Sequence, residues 1–224
     1  MAVISEEKPS DSPLVESIWH VQAQSDGVDI VVADTSWDMI ITQQDGQTKL
    51  TVWGPMTQAN HIPHVAGSEA IGIRFKLGTY LAQIPTFSSP NSGLALPEAA
   101  GESFWLNSSA WEYPTYENVD TFLHRLARNG LIGQDALVAA ALQGQTDASL
   151  RSVQRRFLRI TGLTQRYIRA IERAQQAAAL LNKGMSILDA VYEAGYADQQ
   201  HMTKSLRQLL GQTPAQIAGI RNYE

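Results

Sequence analysis

Two stretches decide the fold of this chain: SLRSVQRRFLRITG at residues 149–162 and SILDAVYEAGYADQQHMTKSLRQLLG at residues 186–211. In both, apolar residues recur every three or four positions, which is the spacing of one helix face. A capping residue precedes each run and a glycine follows it. The pattern predicts a helix over 149–160 that ends at Gly162, and a helix pair over 186–211 with Gly195 in the turn.

The polar residues of these two helices lie away from the apolar stripes, which are Leu150, Val153, Phe157 and Ile160 in one and Met202, Leu206, Leu209 and Leu210 in the other. Arg can bridge the O6 and N7 atoms of guanine, and Gln can bridge N6 and N7 of adenine. For either helix alone, the alternative is a basic face that contacts only solvent. The occurrence of the pattern in two helices favours contact with DNA. The predicted base contacts are Arg151, Ser152, Gln154, Arg155, Gln199, Gln200, Thr203 and Lys204. The predicted phosphate contacts are Arg156, Arg159 and Arg207.

Helical patterns fill the chain after about residue 117. They predict seven helices, at 119–128, 135–142, 149–160, 165–181, from 186, from 198 and from 213. Residues 149–217 resemble the DNA-binding domain of AraC/XylS-family transcription regulators. The matching segments are SLRSVQRRF (149–157), TGLT (161–164), AGYADQQH (194–201) and GQTP (211–214).

The resemblance implies two helix-turn-helix subdomains, about 135–162 and 186–211, joined by a linker helix over 165–181. It also implies that Arg151, Gln154 and Arg155 read one groove, and that Gln199, Gln200 and Lys204 read the next. Two departures stand out. The family often has Phe where this chain has Met202, Leu206 and Leu210, and it has Pro where this chain has Gln165.

The net charge of −5 divides unevenly along the chain. Residues 1–118 hold 4 basic and 14 acidic residues, a net charge of −10, whereas residues 119–224 hold 13 and 8, a net charge of +5. Only the surface that contacts DNA has to attract phosphate. The C-terminal part therefore suits DNA, and the acidic N-terminal part does not.

The first half carries short β-rich runs at 28–33, 39–42, 48–53 and 70–75, with a hairpin signal at Asp45-Gly46. They predict a small sandwich or barrel, with a short helix at 79–84. The stretches WGPMT (53–57) and GIRFKLG (72–78) resemble, more loosely, the β-rich sensor domain that precedes such DNA-binding domains. The fold class is thus α+β in two domains: a β-rich sensor or dimerisation domain at 1–118 and an all-α DNA-binding domain at 119–224.

Other sites in the first half are open at this stage. His61, His64 and Glu69 have residue types that suit a divalent metal, but they lack the His-x-His spacing of cupins, so a polar loop is preferred and no metal is predicted. The five tryptophans are assigned mainly to the core. Trp37, Trp53, His61 and His64 are kept as candidates for effector binding.

The sequence contains no cysteine and no GxSxG, HExxH, P-loop or dinucleotide motif, so neither an enzyme nor a cofactor is predicted. No apolar run approaches the ~20 residues of a membrane span. The expectation is a cytoplasmic, sequence-specific transcription regulator that binds double-stranded DNA. A small effector, a homodimer and a contact with RNA polymerase remain open. The alternative is a cupin-like small-molecule or metal-binding protein, or an enzyme, whose helical domain is an interaction module.

Overall fold

The computed structural model describes residues 3–82 and 90–219. Contacts divide the chain into two compact units. The first comprises Met1–Val28, Ser36–Pro55 and Pro63–Gly162, and the second Asp29–Thr35, Met56–Ile62 and Leu163–Glu224. The strands are β1 (Val3–Lys8), β2 (Val15–Ala23), β3 (Gly27–Val31), β4 (Trp37–Gln44), β5 (Gln47–Trp53), β6 (Asn60–His64), β7 (Glu69–Phe75), β8 (Thr79–Leu81), β9 (Gly93–Ala95), β10 (Glu98–Ala99), β11 (Ser103–Leu106), β12 (Ser109–Glu112) and β13 (Ile132–Gln134).

The helices confirm all seven predicted segments. They are α1 (Val119–Arg128), α2 (Ala136–Leu142), α3 (Leu150–Thr161), α4 (Gln165–Asn182), α5 (Ile187–Glu193), α6 (Gln199–Leu210) and α7 (Pro214–Ile217). None of the helices in the described ranges is long and apolar enough to cross a membrane. A β-rich N-terminal region followed by a helical C-terminal region confirms the predicted fold class.

The first unit is built on a six-stranded antiparallel sheet with the order β1-β2-β7-β4-β5-β9. Alternate residues of β4 are buried, namely Trp37, Met39 and Ile41, as expected for a sheet with one face on a core. The buried side of α1 joins the same apolar cluster. A two-residue turn at Asp45-Gly46, both with positive φ, connects β4 to β5 and confirms the predicted hairpin.

Three strands of this sheet, β1, β2 and β9, were not predicted. Most of β1 is exposed at the edge of the sheet, so its sequence VISEEK lacks an apolar alternation that would reveal it. The predicted helix at 79–84 is wrong where the structure describes it, because Thr79–Leu81 forms β8 and pairs with β13. Residues 83 and 84 lie outside the described residues.

The second unit consists of α4–α7 and two short segments from the first half of the sequence. Its core joins Ile171, Ala174 and Leu181 of α4 to the apolar sides of α5 and α6. One N-terminal residue, Ala33, is fully buried in the same core. The units therefore follow contacts between distant parts of the chain, and the domain boundary at residue 118 stays a prediction.

Candidate nucleic-acid interface

Helix α3 has one buried side and one polar side, as its sequence predicts. Its N-cap is Ser149, whose hydroxyl oxygen accepts the N–H of Ser152 at 3.3 Å. Val153 and Phe157 are buried in the first unit. The predicted base-contacting residues of this helix are all exposed: Arg151, Ser152, Gln154 and Arg155. Their side chains are thus available along the N-terminal two turns, the end that enters the major groove in helix-turn-helix docking.

One residue of the predicted apolar stripe is misplaced. Leu150 is 79% exposed, so its assignment to the core is wrong. It is the first residue of α3, and Cα–Cβ bonds of a helix tilt towards the N-terminus. A side chain in the first position therefore points past the end of the helix instead of onto the surface packed by Val153 and Phe157.

Arg156 takes part in an ion pair that the sequence did not reveal. Its Nε lies 2.6 Å and its Nη2 2.5 Å from Oδ2 of Asp135. Asp135 is buried and is also the N-cap of α2, where Oδ1 accepts the N–H of Val138 at 3.1 Å. Burial alone would raise the pKa of Asp135, but the hydrogen bonds from Arg156 and Val138 outweigh it and lower the pKa. Arg156 thus connects α3 to α2, whereas Arg159 is exposed.

Helix α6 repeats the organisation of α3. Its N-cap is Asp198, whose Oδ1 accepts the N–H of His201 at 2.7 Å. The four predicted apolar residues are buried: Met202, Leu206, Leu209 and Leu210. Of the predicted DNA-contacting residues, Thr203 is half-buried and the others are exposed: Gln199, Gln200, Lys204 and Arg207. These five side chains line one open concave surface together with Gln208, which is not among the predicted contacts.

The turn before α6 is held by contacts that sequence reasoning missed. Gly195 has φ +71°, as predicted for the residue between the two helices. The guanidinium of Arg173, on α4, lies 5.0 Å from the ring centroid of Tyr196, and its Nη1 donates to the Gly195 carbonyl at 3.4 Å. The Tyr196 hydroxyl and Ser205 Oγ are 3.0 Å apart. These contacts fix the start of α6 relative to α4.

The hydroxyl of Thr203 is already engaged within α6. It donates to the carbonyl oxygen of Gln199 at 2.8 Å, one turn earlier. His201, which was not chosen as a base contact, places its ring edge-on to Tyr196 at 5.2 Å. The exposed members of the predicted set on this helix are Gln199, Gln200, Lys204 and Arg207.

The residues kept as effector candidates lie in different surroundings. Trp37 is buried in the core, stacked on Phe75 at 3.8 Å, and its Nε1 donates to the Thr79 carbonyl at 2.8 Å. Trp53 is half-buried and His61 is exposed. The His64 ring covers Gly27, where a Cβ would come within 2.5 Å of Nε2.

Glu69, which was considered as a metal ligand beside His61 and His64, binds a different histidine. His20 Nε2 lies 2.6 Å from Glu69 and its Nδ1 lies 2.9 Å from Glu6, across three neighbouring strands. Burial would lower the pKa of His20, but the hydrogen bonds to Glu6 and Glu69 raise it overall. Within residues 3–82 and 90–219, no three His, Asp or Glu side chains are grouped so that they could hold a metal.

Comparison with known proteins identifies the helical region. Residues 143–219 match the family model of a helix-turn-helix domain. A search of curated proteins finds no match.

Among solved structures, the chain is similar to ToxT from Vibrio cholerae. For one crystal form of ToxT the identity is 8% and the TM-score 0.39, with 99% of this chain and 100% of the other covered. ToxT bound to (E)-4-(8-methylnaphthalen-1-yl)but-3-enoic acid gives 10% identity, a TM-score of 0.39 and coverage of 98% and 99%. ToxT bound to an unsaturated fatty acid gives 9% identity and a TM-score of 0.35, with 98% of this chain and 95% of the other covered.

The family match covers α3–α7, the helices whose caps, apolar sides and exposed polar residues are described above. It therefore confirms the identification that those residues suggested. Residues 143–219 are a helix-turn-helix domain of the AraC type, the kind of domain that binds DNA.

Proposed function

We propose that this chain is a DNA-binding transcription regulator that reads two successive major-groove segments of one duplex, one with α3 and one with α6. The observation that carries the proposal is that both helices have a side-chain cap, a buried apolar side and an exposed row of Arg, Gln or Lys at the N-terminal end. If the two helices lie about one duplex turn apart, ~34 Å, a single protein molecule can contact both segments without a palindromic site.

The roles of the exposed residues follow from their hydrogen-bonding groups. Arg151 and Arg155 suit guanine, and Gln154 suits adenine, in the segment under α3. In the segment under α6, Gln199, Gln200 and Lys204 fill the same roles. The hydroxyl oxygens of Ser152 on α3 and Thr203 on α6 add contacts as hydrogen-bond acceptors. Arg159 and Arg207 bind phosphate, and so does Arg156 through the side of its guanidinium that Asp135 leaves accessible.

The acidic N-terminal half is the regulatory part in this proposal. It senses a small effector, supports a homodimer, or does both, and an activating form would contact RNA polymerase. The protein acts in the cytoplasm as a regulator and not as an enzyme. The pairing of Glu69 with His20 supports this over the cupin-like alternative, because it occupies the one carboxylate considered beside His61 and His64.

The test begins with selection of a binding sequence from random duplexes, followed by affinity measurements on that sequence. Arg155→Ala is expected to weaken binding by about 1–3 kcal/mol and to relax the preference at one base pair under α3. Lys204→Ala should weaken binding to the DNA segment under α6. Arg128→Ala is the matched control, because Arg128 is exposed in the last turn of α1, outside the matched residues 143–219.

Two results would contradict the proposal. One is an equal loss for Arg155→Ala on selected and unrelated duplexes, since a base contact must discriminate between sequences. The other is binding that does not weaken as salt increases, because phosphate contacts release counterions and make the affinity depend on salt.

A further inference from the structure

The C-terminal end of α6 is capped by backbone groups from the first half of the chain. The last four carbonyls of a helix have no partner within it. Here the Arg207 carbonyl accepts the N–H of Gly211 at 3.1 Å, within the same turn. The carbonyl of Gln208 accepts the N–H of Ala59 at 2.9 Å, and that of Leu209 accepts the N–H of Ala33 at 2.7 Å.

The two segments that supply these donors, Asp29–Thr35 and Met56–Ile62, belong to the second unit, and we call them the clasp. They are bonded to each other: the N–H of Asp34 donates to the Met56 carbonyl at 2.9 Å, and the N–H of Met56 to Asp34 Oδ1 at 3.3 Å. The clasp is therefore one structure made of two separate pieces of chain.

Side-chain contacts also connect the clasp to α4 and α6. Ala33 has no exposed surface and packs in the core of the second unit. The hydroxyl of Tyr167, on α4, donates to the Thr57 carbonyl. Gly211 ends α6 with φ +74°, and a Cβ on it would lie 3.1 Å from Ile30 Cγ2 and 3.2 Å from Ala59 Cβ. The end of the helix and the clasp are thus in close contact.

The clasp is also continuous with the central strands of the N-terminal half. Thr35 is followed three positions later by Asp38 of β4, and Met56 is preceded by Trp53 of β5 at the same distance. Asp38 and Trp53 are paired partners in the antiparallel β4–β5 ladder. Both pieces of the clasp therefore extend from the same end of one hairpin. A displacement of that hairpin would act on both pieces.

We propose that the clasp couples the state of the N-terminal half to the second recognition helix, by setting the position and stability of α6. This inference rests on the proposed function, since α6 must read DNA for the coupling to matter. Helix α3 belongs to the first unit, whereas the clasp and α6 belong to the second. A loosened clasp should therefore weaken binding to the DNA segment under α6 and leave binding to the segment under α3 unchanged. Coupling is reciprocal, so DNA bound at α6 should stabilise the clasp.

Two glycine variants of the full chain separate the clasp from ordinary backbone strain. Gly211→Ala and Gly195→Ala both place a side chain at positive φ, +74° and +71°. Only the Cβ at position 211 presses on the clasp, because nothing lies within 4 Å of a Cβ at position 195. Ile30→Ala removes the atom that a Cβ at 211 would meet first. The double variant Ile30→Ala/Gly211→Ala should therefore recover part of the loss, as expected for residues in contact.

The first readout is amide hydrogen exchange of the free protein. We expect exchange at Ala33 and Ala59 to be about tenfold faster in Gly211→Ala than in Gly195→Ala. Tyr167→Phe is a milder second variant, which removes only the hydroxyl bond to Thr57, and it should accelerate the same two amides. Equal exchange rates in the two glycine variants, or no recovery with Ile30→Ala, would overturn the clasp as the cause.

The second readout is binding to the selected duplex, with footprints scored separately under α3 and α6. Gly211→Ala should lose protection under α6 only, and adding the duplex to the wild-type protein should slow exchange at Ala33 and Ala59. Suppose that Lys204→Ala weakens binding under α6, whereas Gly211→Ala speeds exchange at Ala33 and Ala59 without weakening that binding. The coupling is then refuted and the proposed function stands. If Lys204→Ala has no effect there, the reading role of α6 itself has failed.

Discussion

Replacing Asp135 by Ala should destabilise the helix pair α2–α3 through two separable losses. The first is the N-cap of α2, which is worth about 0.5–2 kcal/mol. The second is the charge-assisted hydrogen bonding to Arg156, for which about 1.5–3 kcal/mol is typical. Arg156 is 39% exposed and so regains water when its partner is removed. We therefore expect a total of about 2–4 kcal/mol, towards the low end of what breaking a fully buried pair costs.

Asp135→Asn isolates the contribution of charge. The amide oxygen can still accept the N–H of Val138, so only the ionic part of the bond to Arg156 is lost, and we expect about 1–2 kcal/mol. Asp147→Ala is the matched control. Asp147 is an exposed aspartate just before α3, and its removal should change stability by less than about 0.5 kcal/mol.

The assay is local hydrogen exchange at the amides of α2 and α3, because a chain with two units need not unfold in one step. The pKa of Asp135 is lowered in the folded state, so its stabilisation is present above the ordinary carboxyl pKa and is lost as pH falls through the lowered value. The difference between wild type and Asp135→Asn should therefore shrink below about pH 4. A difference that is small at neutral pH, or that does not shrink in acid, would refute the role assigned to the pair.

Three further outcomes are expected from the first unit. The raised pKa of His20 means that its stabilisation is complete below the unfolded-state pKa of about 6.5 and is lost as pH rises through the folded-state value. The wild-type melting temperature should therefore decline as pH rises above about 6.5, and His20→Gln should flatten that slope. Trp37→Phe should cost about 1–3 kcal/mol in urea unfolding, because it removes core volume and a hydrogen bond, and a loss below about 0.5 would contradict its core role. Phe157→Ala should lower the stability of α3, measured by local hydrogen exchange, by about 3–5 kcal/mol, and Leu150→Ala by less than about 0.5 kcal/mol. Similar losses for the two variants would show that Leu150 is packed.

Local signals explain why the helices could be predicted from the sequence. Ser149 and Asp198 cap the helices that follow them, and Gly162 and Gly211 end those helices at positive φ. Each signal acts within about one helical turn, so it is visible in a short window of sequence. The exposed polar rows of α3 and α6 follow from the same periodicity, and this is why both sets of candidate residues are on the protein surface.

Contacts between distant residues could not be predicted in this way. Nothing in the pattern of α3 distinguishes Arg156, which pairs with Asp135, from its neighbour Arg155, which remains exposed. Ala33 looks like an ordinary strand residue, yet it is buried against helices formed near the other end of the sequence. Such partners depend on tertiary packing, which periodicity does not encode. The same limit applies to the pairing of Glu69 with His20.

The clasp also imposes an order on folding. Ala33 and Leu209 stand near opposite ends of a chain of 224 residues, and their bond closes a very long loop. Pairings of such high contact order are expected to form late. During synthesis the donors of the clasp are made early and must wait until residues 208 and 209 have emerged before the carbonyls of α6 reach them. The second recognition helix is therefore completed late, whereas the Asp135–Arg156 pair can form as soon as α3 exists.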